Sequence, residues 1–268
     1  MMILLIYGER LCDLLSKVTA FANANRLNCR DSDSANMVIC SCRFLQMTRP
    51  LIIAIDGPSG AGKSTLGRML ARELGLLYID TGSMYRAVAL AVIESSTNET
   101  DDVAAGVLAE KVDIDLAGDP DSLRVTVDGR DVSDRIRDED VTSMSSIIST
   151  IPAVRRAMVE RQRELGRRGA VMNGRDIGTV VFPDADVKFF LTAVAEERAE
   201  RRLAEEREYN PAATYEQTLA DITERDRRDT TRADSPLAAA ADAIMIDSTG
   251  QPIEEVFRRM MSEVEKRS

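Results

Sequence analysis

The most informative segment of this 268-residue chain reads Leu51-Ile-Ile-Ala-Ile-Asp-Gly-Pro-Ser-Gly-Ala-Gly-Lys-Ser-Thr65. It begins with an uninterrupted apolar run, which predicts a parallel strand buried on both faces. The glycine-rich part matches the pattern G-x-x-x-x-G-K-[ST], with Gly57, Gly62, Lys63 and Ser64 in the fixed positions. A helical pattern follows at once. Because this motif requires a strand before it and a helix after it, the segment predicts a phosphate-binding loop rather than a glycine-rich connection with a surface lysine.

The loop predicts a binding site for a nucleoside triphosphate. Small side chains allow successive backbone N–H groups to converge on phosphate oxygens, and the start of the next helix adds its unpaired N–H groups. Lys63 is expected to reach the β- and γ-phosphates, and the Ser64 hydroxyl is expected to ligate Mg²⁺. The predicted ATP-binding residues are Gly57, Pro58, Ser59, Gly60, Ala61, Gly62, Lys63, Ser64 and Thr65.

The composition excludes several kinds of chemistry. The net charge of −10 argues against general nucleic-acid binding, and the absence of histidine excludes Ser-His and Cys-His nucleophiles and any histidine base. Phosphoryl transfer to a phosphate acceptor remains possible, because the attacking oxygen is already anionic. The spacing of the cysteines is neither C-x-x-C nor a disulfide framework, which predicts a reducing cytoplasm. All four lie near the start of the chain, at Cys12, Cys29, Cys40 and Cys42.

The first 46 residues do not share the character of the rest. Met2–Tyr7 is apolar but much too short to span a membrane, and Glu9 and Asp13 follow it closely. Residues 1–46 are therefore expected to be a disordered extension or a start-site artefact, with Met47 as the natural start. A regulatory extension is the alternative. Residues 47–268 are expected to form the functional domain.

From Leu51 onwards the pattern alternates strand and helix, which predicts an α/β protein with the P-loop three-layer fold. Five parallel core strands are predicted over residues 51–55, 76–79, 170–173, 187–191 and 243–247. Residues 97–150 interrupt this rhythm and predict a small antiparallel insert, with strands over 112–116 and 123–127, a hairpin turn at Asp128-Gly129 and a helix near 138–149. The main helices are predicted over residues 64–74, 83–94, 152–168, 196–207 and 215–228, with a closing helix that carries an apolar stripe from Ile253 to Val264.

Three charged clusters follow predicted strands or the last helix pair, and ligands of an open parallel sheet bind beyond the carboxyl ends of its strands. They occupy residues 80–86, 174–176 and 224–232. Taken singly, Arg86 could simply pair with Asp80, and Asp176 could only cap a turn. The arginines at 198, 201 and 202 alternate with glutamates, which fits a lid over the triphosphate and a solvated helix equally well.

Five segments resemble the bacterial cytidylate kinases, which are nucleoside monophosphate kinases. They read IDGPSGAGKST (55–65), DTGSMYRAVAL (80–90), NGRDIGTVVFPDADVKFFL (173–191), ERDRRDTTRADSPL (224–237) and IDST (246–249). The resemblance spans the chain from Leu51 to its end. It implies a kinase domain with three parts: the five-stranded core, an acceptor-binding insert over residues 97–150, and a helical lid over about residues 196–232.

The resemblance also implies roles for individual residues. Lys63, Arg86 and Arg175 would be catalytic, with Arg86 and Arg175 holding the phosphate of CMP. The cytosine would be surrounded by Thr81, Arg155, Asp176 and Arg232. The ribose would face Ser146, Arg225 and Asp229. These cytosine contacts make chemical sense, because a carboxylate suits the amino group of cytosine and guanidinium groups suit its ring acceptors, whereas uracil reverses that pattern.

Two residues depart from the family pattern. Ser83 stands where alanine is usual, and Asn173 stands where an acidic residue often precedes Gly-Arg-Asp. The second change puts a protein carboxylate contribution to the Mg²⁺ site in doubt, a task that Asp80 could share.

The expected reaction is transfer of a phosphoryl group from ATP to CMP or dCMP, with Mg²⁺, by direct in-line displacement. The expected protein is a cytoplasmic monomer with no nucleic-acid or membrane partner. One alternative is another P-loop kinase of a small acceptor, such as UMP, AMP or shikimate. The other is a nucleotide-dependent switch without catalytic activity.

Overall fold

The computed structural model describes residues 50–95, 101–208 and 210–267, and the extension predicted over residues 1–46 lies outside them. The strands are β1 (Ile52–Asp56), β2 (Leu77–Asp80), β3 (Ile114–Ala117), β4 (Arg124–Val127), β5 (Arg130–Asp131), β6 (Ala170–Gly174), β7 (Val187–Thr192) and β8 (Ile244–Asp247). The helices are α1 (Lys63–Leu74), α2 (Thr81–Glu94), α3 (Asp102–Lys111), α4 (Glu139–Ile148), α5 (Pro152–Gly166), α6 (Ala195–Glu206), α7 (Tyr215–Thr231) and α8 (Ile253–Arg267). A 3₁₀ turn covers Arg135–Arg137 and a π-helical turn covers Ile177–Val181.

Five parallel strands form the central sheet in the order β2-β6-β1-β7-β8, which confirms the predicted core. The apolar run of β1 is buried on both faces. Helix α1 packs on the face that carries Ile55 and contacts α8, while α2 and α5 share a core cluster with Ala54 on the other face. The sheet is thus the middle of three layers.

The register of the sheet places three strand ends side by side. Asn173 of β6 pairs with Ile55 of β1 on one side and with Asp80 of β2 on the other. Residues that follow β1, β2 and β6 therefore converge at one edge, as expected for a ligand site of an open parallel sheet.

The insert contains the predicted antiparallel sheet, in the order β3-β4-β5. Val127 pairs with Arg130 across a turn in which Asp128 and Gly129 both have positive φ, at 49° and 77°. A turn with two left-handed residues is what Asp-Gly predicts. The buried valines of β4 belong to the same hydrophobic cluster as α2, so the small sheet is packed onto the core.

Helix α3 is an element that the sequence analysis did not predict. Its buried residues are Ala105, Gly106 and Ala109, which are small and leave no stripe of large apolar side chains to recognise. A Cβ at Gly106 would lie 2.6 Å from the Cβ of Ala153, so α3 approaches α5 closely at this point. No helix in the described part of the chain is long and apolar enough to cross a membrane.

Candidate active site

The glycine-rich loop joins β1 to α1 at the converging edge of the sheet. Gly57 has a φ of 144°, and a Cβ there would lie 2.1 Å from the carbonyl oxygen of Leu191, so only glycine fits. Gly62 has a φ of 88° and precedes the first residue of α1. The amino end of α1 therefore opens at the loop, as the phosphate-binding motif requires.

Lys63 lies back over its own loop. Its side chain is only 6% exposed, and Nζ donates to the carbonyl oxygen of Pro58 at 2.5 Å. Burial lowers the pKa of Lys63 well below its ordinary value, and the positive charges of Arg175 and Arg225 lower it further. The lysine is thus held in a place where an anionic ligand would stabilise its charge.

Arg225 belongs to the same cationic group. Burial lowers its pKa to about 10, and the charges of Arg175, Arg86 and Arg202 act in the same direction, while Asp229 opposes them. Arg175 donates from Nε to Oδ2 of Asp229 at 2.7 Å. We call Lys63, Arg86, Arg175 and Arg225 the cation cluster. Positive side chains gathered in this way make a site suited to phosphate, because an anion would stabilise the charges of Lys63 and Arg225 that burial and the neighbouring arginines disfavour.

Arg86 reaches this cluster from α2. Its Nη2 contacts Oδ2 of Asp80 at 3.2 Å and Oγ of Ser83 at 2.8 Å. Burial raises the pKa of Asp80, but Arg86, Ser83 and Asn173 outweigh it and hold that pKa below its ordinary value. The pairing of Arg86 with Asp80 that the sequence analysis considered is therefore present, and Ser83, the departure from the family pattern, takes part in it.

A second group of predicted residues is almost completely buried. Arg155, at 2% exposure, forms an ion pair with Asp176, and Nη2 of Arg232 lies 3.7 Å from the other oxygen of that carboxylate. The ring of Tyr85, which the sequence analysis did not single out, lies 5.9 Å from the Arg155 guanidinium. Nε of Arg155 and Nη2 of Arg232 have no hydrogen-bond partner among the described residues. We call Arg155, Asp176 and Arg232 the arginine–aspartate cluster.

The two clusters are joined through Asp229. This carboxylate accepts from Arg175 and lies 3.9 Å from Nη1 of Arg232. Burial raises its pKa, but Arg175 and Arg225 outweigh that effect and lower it. Thr81 lies beside them and donates from Oγ1 to the carbonyl oxygen of Asn173 at 2.8 Å. The structure therefore brings the predicted phosphate and base residues into one continuous polar region.

Ser146, which the sequence analysis predicted to face the ribose, contacts a residue that belongs to neither cluster. Its Oγ accepts from Nη1 of Arg228 at 2.8 Å, a residue of α7 that the sequence analysis did not name. The contact joins α4 of the insert to α7. Only the three-dimensional approach of these helices reveals it, because the two residues are 82 positions apart.

Asn173 connects the loop helix to β2. Its Nδ2 donates to Oγ of Ser64 and to Oδ1 of Asp80, both at 3.3 Å. Its Oδ1 is buried and has no hydrogen-bond partner in the described part of the chain. Ser64 itself is exposed, as is Thr65.

The three arginines considered for a lid differ from one another. Arg198 is buried and donates from Nη1 to the carbonyl oxygen of Ser59 in the loop at 3.0 Å, and it forms an ion pair with Asp226 of α7 at 2.7 Å. Arg201 and Arg202 pair with glutamates four residues away on the same helix, and Arg201 also donates to Oγ and the carbonyl oxygen of Ser248, after β8, at 3.1 and 2.9 Å. Arg198 thus links the loop to α7 and Arg201 links α6 to the segment after β8, whereas the ion pairs of Arg202 within α6 are those of a surface helix.

A P-loop fold with a cation cluster facing the loop defines the class of P-loop kinases that act on small acceptors. Comparison with known proteins narrows this class. The family model described as cytidylate kinase matches residues 53–266. The chain belongs to the cytidylate kinase family.

Its relatives are similar over nearly their whole length. The cytidylate kinase of Citrifermentans bemidjiense is 48% identical over 218 residues, which cover 81% of this chain and 94% of that one. The cytidylate kinase of Desulforamulus reducens is 50% identical over 82% of this chain and 99% of its own length, and that of Bacillus velezensis is 43% identical over 83% and 100%. Among solved structures, shikimate kinase from Acinetobacter baumannii is 15% identical with a TM-score of 0.38, over 82% of this chain and 94% of that one.

Proposed function

We propose that this protein transfers the γ-phosphoryl group of ATP to CMP and dCMP, giving ADP with CDP or dCDP, in pyrimidine nucleotide metabolism. The observation that supports it most is the cation cluster, in which Lys63 of the loop is close enough to Arg175 and Arg225 for their charges to lower its pKa. A donor phosphate on the loop and an acceptor phosphate on these arginines would share one site. Family membership supports the same reaction.

The donor half of the site is the loop from Gly57 to Thr65. We propose that its N–H groups bind the β- and γ-phosphates and that Lys63 exchanges the Pro58 carbonyl for phosphate oxygens. The exchange is favourable because a full negative charge replaces a carbonyl dipole beside a buried ammonium group.

The acceptor half uses the two arginine groups. Arg86 and Arg175 would hold the CMP phosphate, while Ser146, Arg225 and Asp229 would face the ribose. Thr81 and the arginine–aspartate cluster would read the cytosine. Nε of Arg155 and Nη2 of Arg232 support this role, since buried donors without a hydrogen-bond partner among the described residues suit a polar ligand.

The transfer itself requires little from the protein beyond alignment and charge. The attacking oxygen belongs to a phosphate, so no general base is needed. Lys63, Arg86 and Arg175 would lie where negative charge builds up between donor and acceptor, and they would stabilise the transition state by neutralising it. Closure over the site would exclude the water that otherwise hydrolyses ATP.

The residues present fit a Mg²⁺ ion held mainly by the nucleotide. Among the described residues no three His, Cys, Asp or Glu side chains gather as a metal site. The exposed Ser64 hydroxyl would be a ligand, and the buried, unpartnered Oδ1 of Asn173 beside it would accept a hydrogen bond from water on the ion. When bound, the ion would neutralise phosphate charge. An amide in place of a carboxylate leaves Asp80 as the nearby acidic group.

The parts of the molecule would divide the work as follows. Residues 97–150 would be the acceptor-binding region and residues 196–232 the lid. Two contacts support this division: Arg228 of α7 reaches Ser146 of the insert, and Arg198 of α6 reaches the loop. We further propose a monomer in the cytoplasm, where ATP and CMP are found; light scattering of the pure protein and fractionation of cells would test these two points.

A panel of acceptors tests the function. ADP release from ATP is measured with CMP, dCMP, UMP, AMP, GMP and shikimate, with and without Mg²⁺. We expect CMP and dCMP to give the largest kcat/KM. Preference for UMP, AMP or shikimate would identify a different small-acceptor kinase, and no stimulation by any acceptor would indicate a nucleotide-dependent switch.

A further inference from the structure

Asp56, the last residue of β1, makes contacts that the proposed mechanism does not use. Its side chain is 4% exposed. Oδ1 accepts from the backbone N–H of Ile177 at 2.8 Å, and Oδ2 accepts from that of Gly178 at 2.7 Å. One carboxylate thus binds two consecutive N–H groups, 121 and 122 residues further along the chain, with good hydrogen-bond geometry.

These two N–H groups begin the π-helical turn Ile177–Val181, and that turn is tied to Asp176. The carbonyl oxygen of Asp176 accepts from the N–H groups of Val180 at 2.8 Å and Val181 at 3.2 Å. Anchoring the start of the turn therefore anchors the backbone of Asp176. Arg175 directly precedes Asp176 in the sequence, so the positions of both residues depend on this turn.

The turn has little freedom to move towards the sheet. A Cβ at Gly178 would lie 3.1 Å from Cδ of Lys188 and 3.4 Å from Oδ2 of Asp56, and a Cβ at Gly174 would lie 2.6 Å from Cδ1 of Ile177. Glycine at these positions allows the backbone to approach closely, and the carboxylate of Asp56 then sets how it lies.

On its other side, Asp56 precedes Gly57, where the donor loop begins. Its backbone leads into the donor loop, and its side chain binds the π-helical turn that follows Arg175 and Asp176. The charged groups that face it are Asp176 and Lys63, and the stem of Lys188 lies behind Gly178. Burial raises the pKa of Asp56 to about 6, although both N–H groups lower it. The site therefore disfavours the charged form of a side chain that nevertheless binds two backbone N–H groups.

We infer that Asp56 is a positioning residue for the acceptor nucleotide, acting through the turn that follows Arg175 and Asp176. The inference rests on the proposed function, because it assigns these two residues to the acceptor. It predicts that Asp56 controls how CMP is held more than how ATP is held, even though it adjoins the ATP loop in sequence.

The experiment compares Asp56→Asn with Asp186→Asn. Asp186 caps the opposite end of the same strand, where Oδ2 accepts from the N–H of Ile52 at 2.9 Å, so it is a matched control. For each folded variant, the KM for CMP, the KM for ATP and kcat are measured. We expect Asp56→Asn to raise the KM for CMP about tenfold, the effect of losing a charge-assisted hydrogen bond, and to leave the KM for ATP nearly unchanged. Asp186→Asn should change neither KM.

Gly178→Ala tests the same turn without altering Asp56. Its Cβ would crowd the stem of Lys188 and touch Oδ2 of Asp56, so it should shift the turn and also raise the KM for CMP selectively. If Asp56→Asn does not fold, the KM values of Gly178→Ala test the inference in its place. An unchanged KM for CMP in these variants, or an equal rise in both KM values, would overturn the inference. A wild-type protein that does not phosphorylate CMP would instead overturn the proposed function.

Discussion

At the scale of single residues, the environment of Lys63 in the free protein disfavours its charged form. The ammonium group is buried, it is close to two arginines, and it binds a carbonyl of its own loop. A triphosphate on the loop would supply the negative charge that this environment lacks, so ligand binding should raise the pKa of Lys63 again.

This reasoning predicts that ATP binding takes up protons. The measurement is calorimetry in buffers of different ionisation enthalpy, over a range of pH values above about 8, where phosphate groups with a second pKa of about 6 are fully ionised. Between the lowered pKa of the free protein and the raised pKa of the complex, Lys63 gains a proton as ATP binds. Lys63→Met should abolish both the uptake and nearly all turnover, while Lys111→Met, at the exposed end of α3, should keep both. Equal proton uptake in Lys63→Met would contradict this assignment.

Asp176 should determine which base is accepted. Its carboxylate can accept from the amino group of cytosine but repels the carbonyl that uracil presents at the same position. Asp176→Ala should therefore lower the ratio of kcat/KM for CMP to that for UMP by about tenfold or more, mainly through CMP. The exposed Asp184→Ala is the control. Because Asp176 pairs with buried Arg155, thermal unfolding must first show that the variant is folded; a folded variant with unchanged selectivity would rule out this role.

At the scale of helices and strands, Arg198 is the point where α6, α7 and the loop meet. It donates to Ser59 and pairs with Asp226. Arg198→Ala should raise the KM for ATP several-fold and make the amides of α7 exchange hydrogen faster, because both partners lose their shared anchor. Arg207→Ala, at an exposed position just after the end of α6, is the matched control. If mass spectrometry finds the same exchange in α7 for all three proteins, Arg198 does not hold the helix.

The elements that could be predicted are those whose signal is local. An apolar run followed by a glycine-rich motif predicted β1, the loop and α1, and Asp128-Gly129 predicted its hairpin. Helix α3 was not predicted because its buried face is made of small residues. The π-helical turn was not predicted either, since its two N–H groups are bound by Asp56, far away in the sequence.

For the candidate site as well, local motifs could be predicted from the sequence and contacts between distant elements could not. Family motifs predicted which residues take part, and the structure brings Arg86, Arg155, Arg175, Asp176, Arg225, Asp229 and Arg232 together. Their functional roles stay predictions. The pairings of Ser146 with Arg228 and of Asn173 with Ser64 could not be predicted, because each joins elements whose relative position only the fold determines.

At the scale of the whole molecule, the charge is unevenly distributed. The chain has a net charge of −10, yet the cation cluster groups four positive side chains at one edge of the sheet. Mutual repulsion there opposes folding and favours anionic ligands. The negatively charged form of Asp56 is also unfavourable in the folded protein, because burial raises its pKa from 3.8 to about 6. Its effect on stability can be isolated by comparing the wild type with Asp56→Asn.

The sign of this effect follows from proton binding. A pKa that is higher in the folded state means that the folded protein binds this proton more tightly than the unfolded chain. The contribution of Asp56 therefore becomes less favourable as the pH rises from 3.8 to about 6 and stays constant above that, with a total change of about 3 kcal/mol. The amide side chain that replaces it in Asp56→Asn does not titrate, and the lowered pKa values of Asp80 and Asp229 act equally in both proteins.

Urea unfolding of the wild type and Asp56→Asn, at about pH 5 and about pH 7.5, measures this difference. We expect the free energy of unfolding of the wild type, relative to the variant, to be about 1 kcal/mol larger at the lower pH. A difference that is independent of pH would mean that Asp56 keeps an ordinary pKa in the folded protein, and a difference of opposite sign would mean that its two N–H partners outweigh burial.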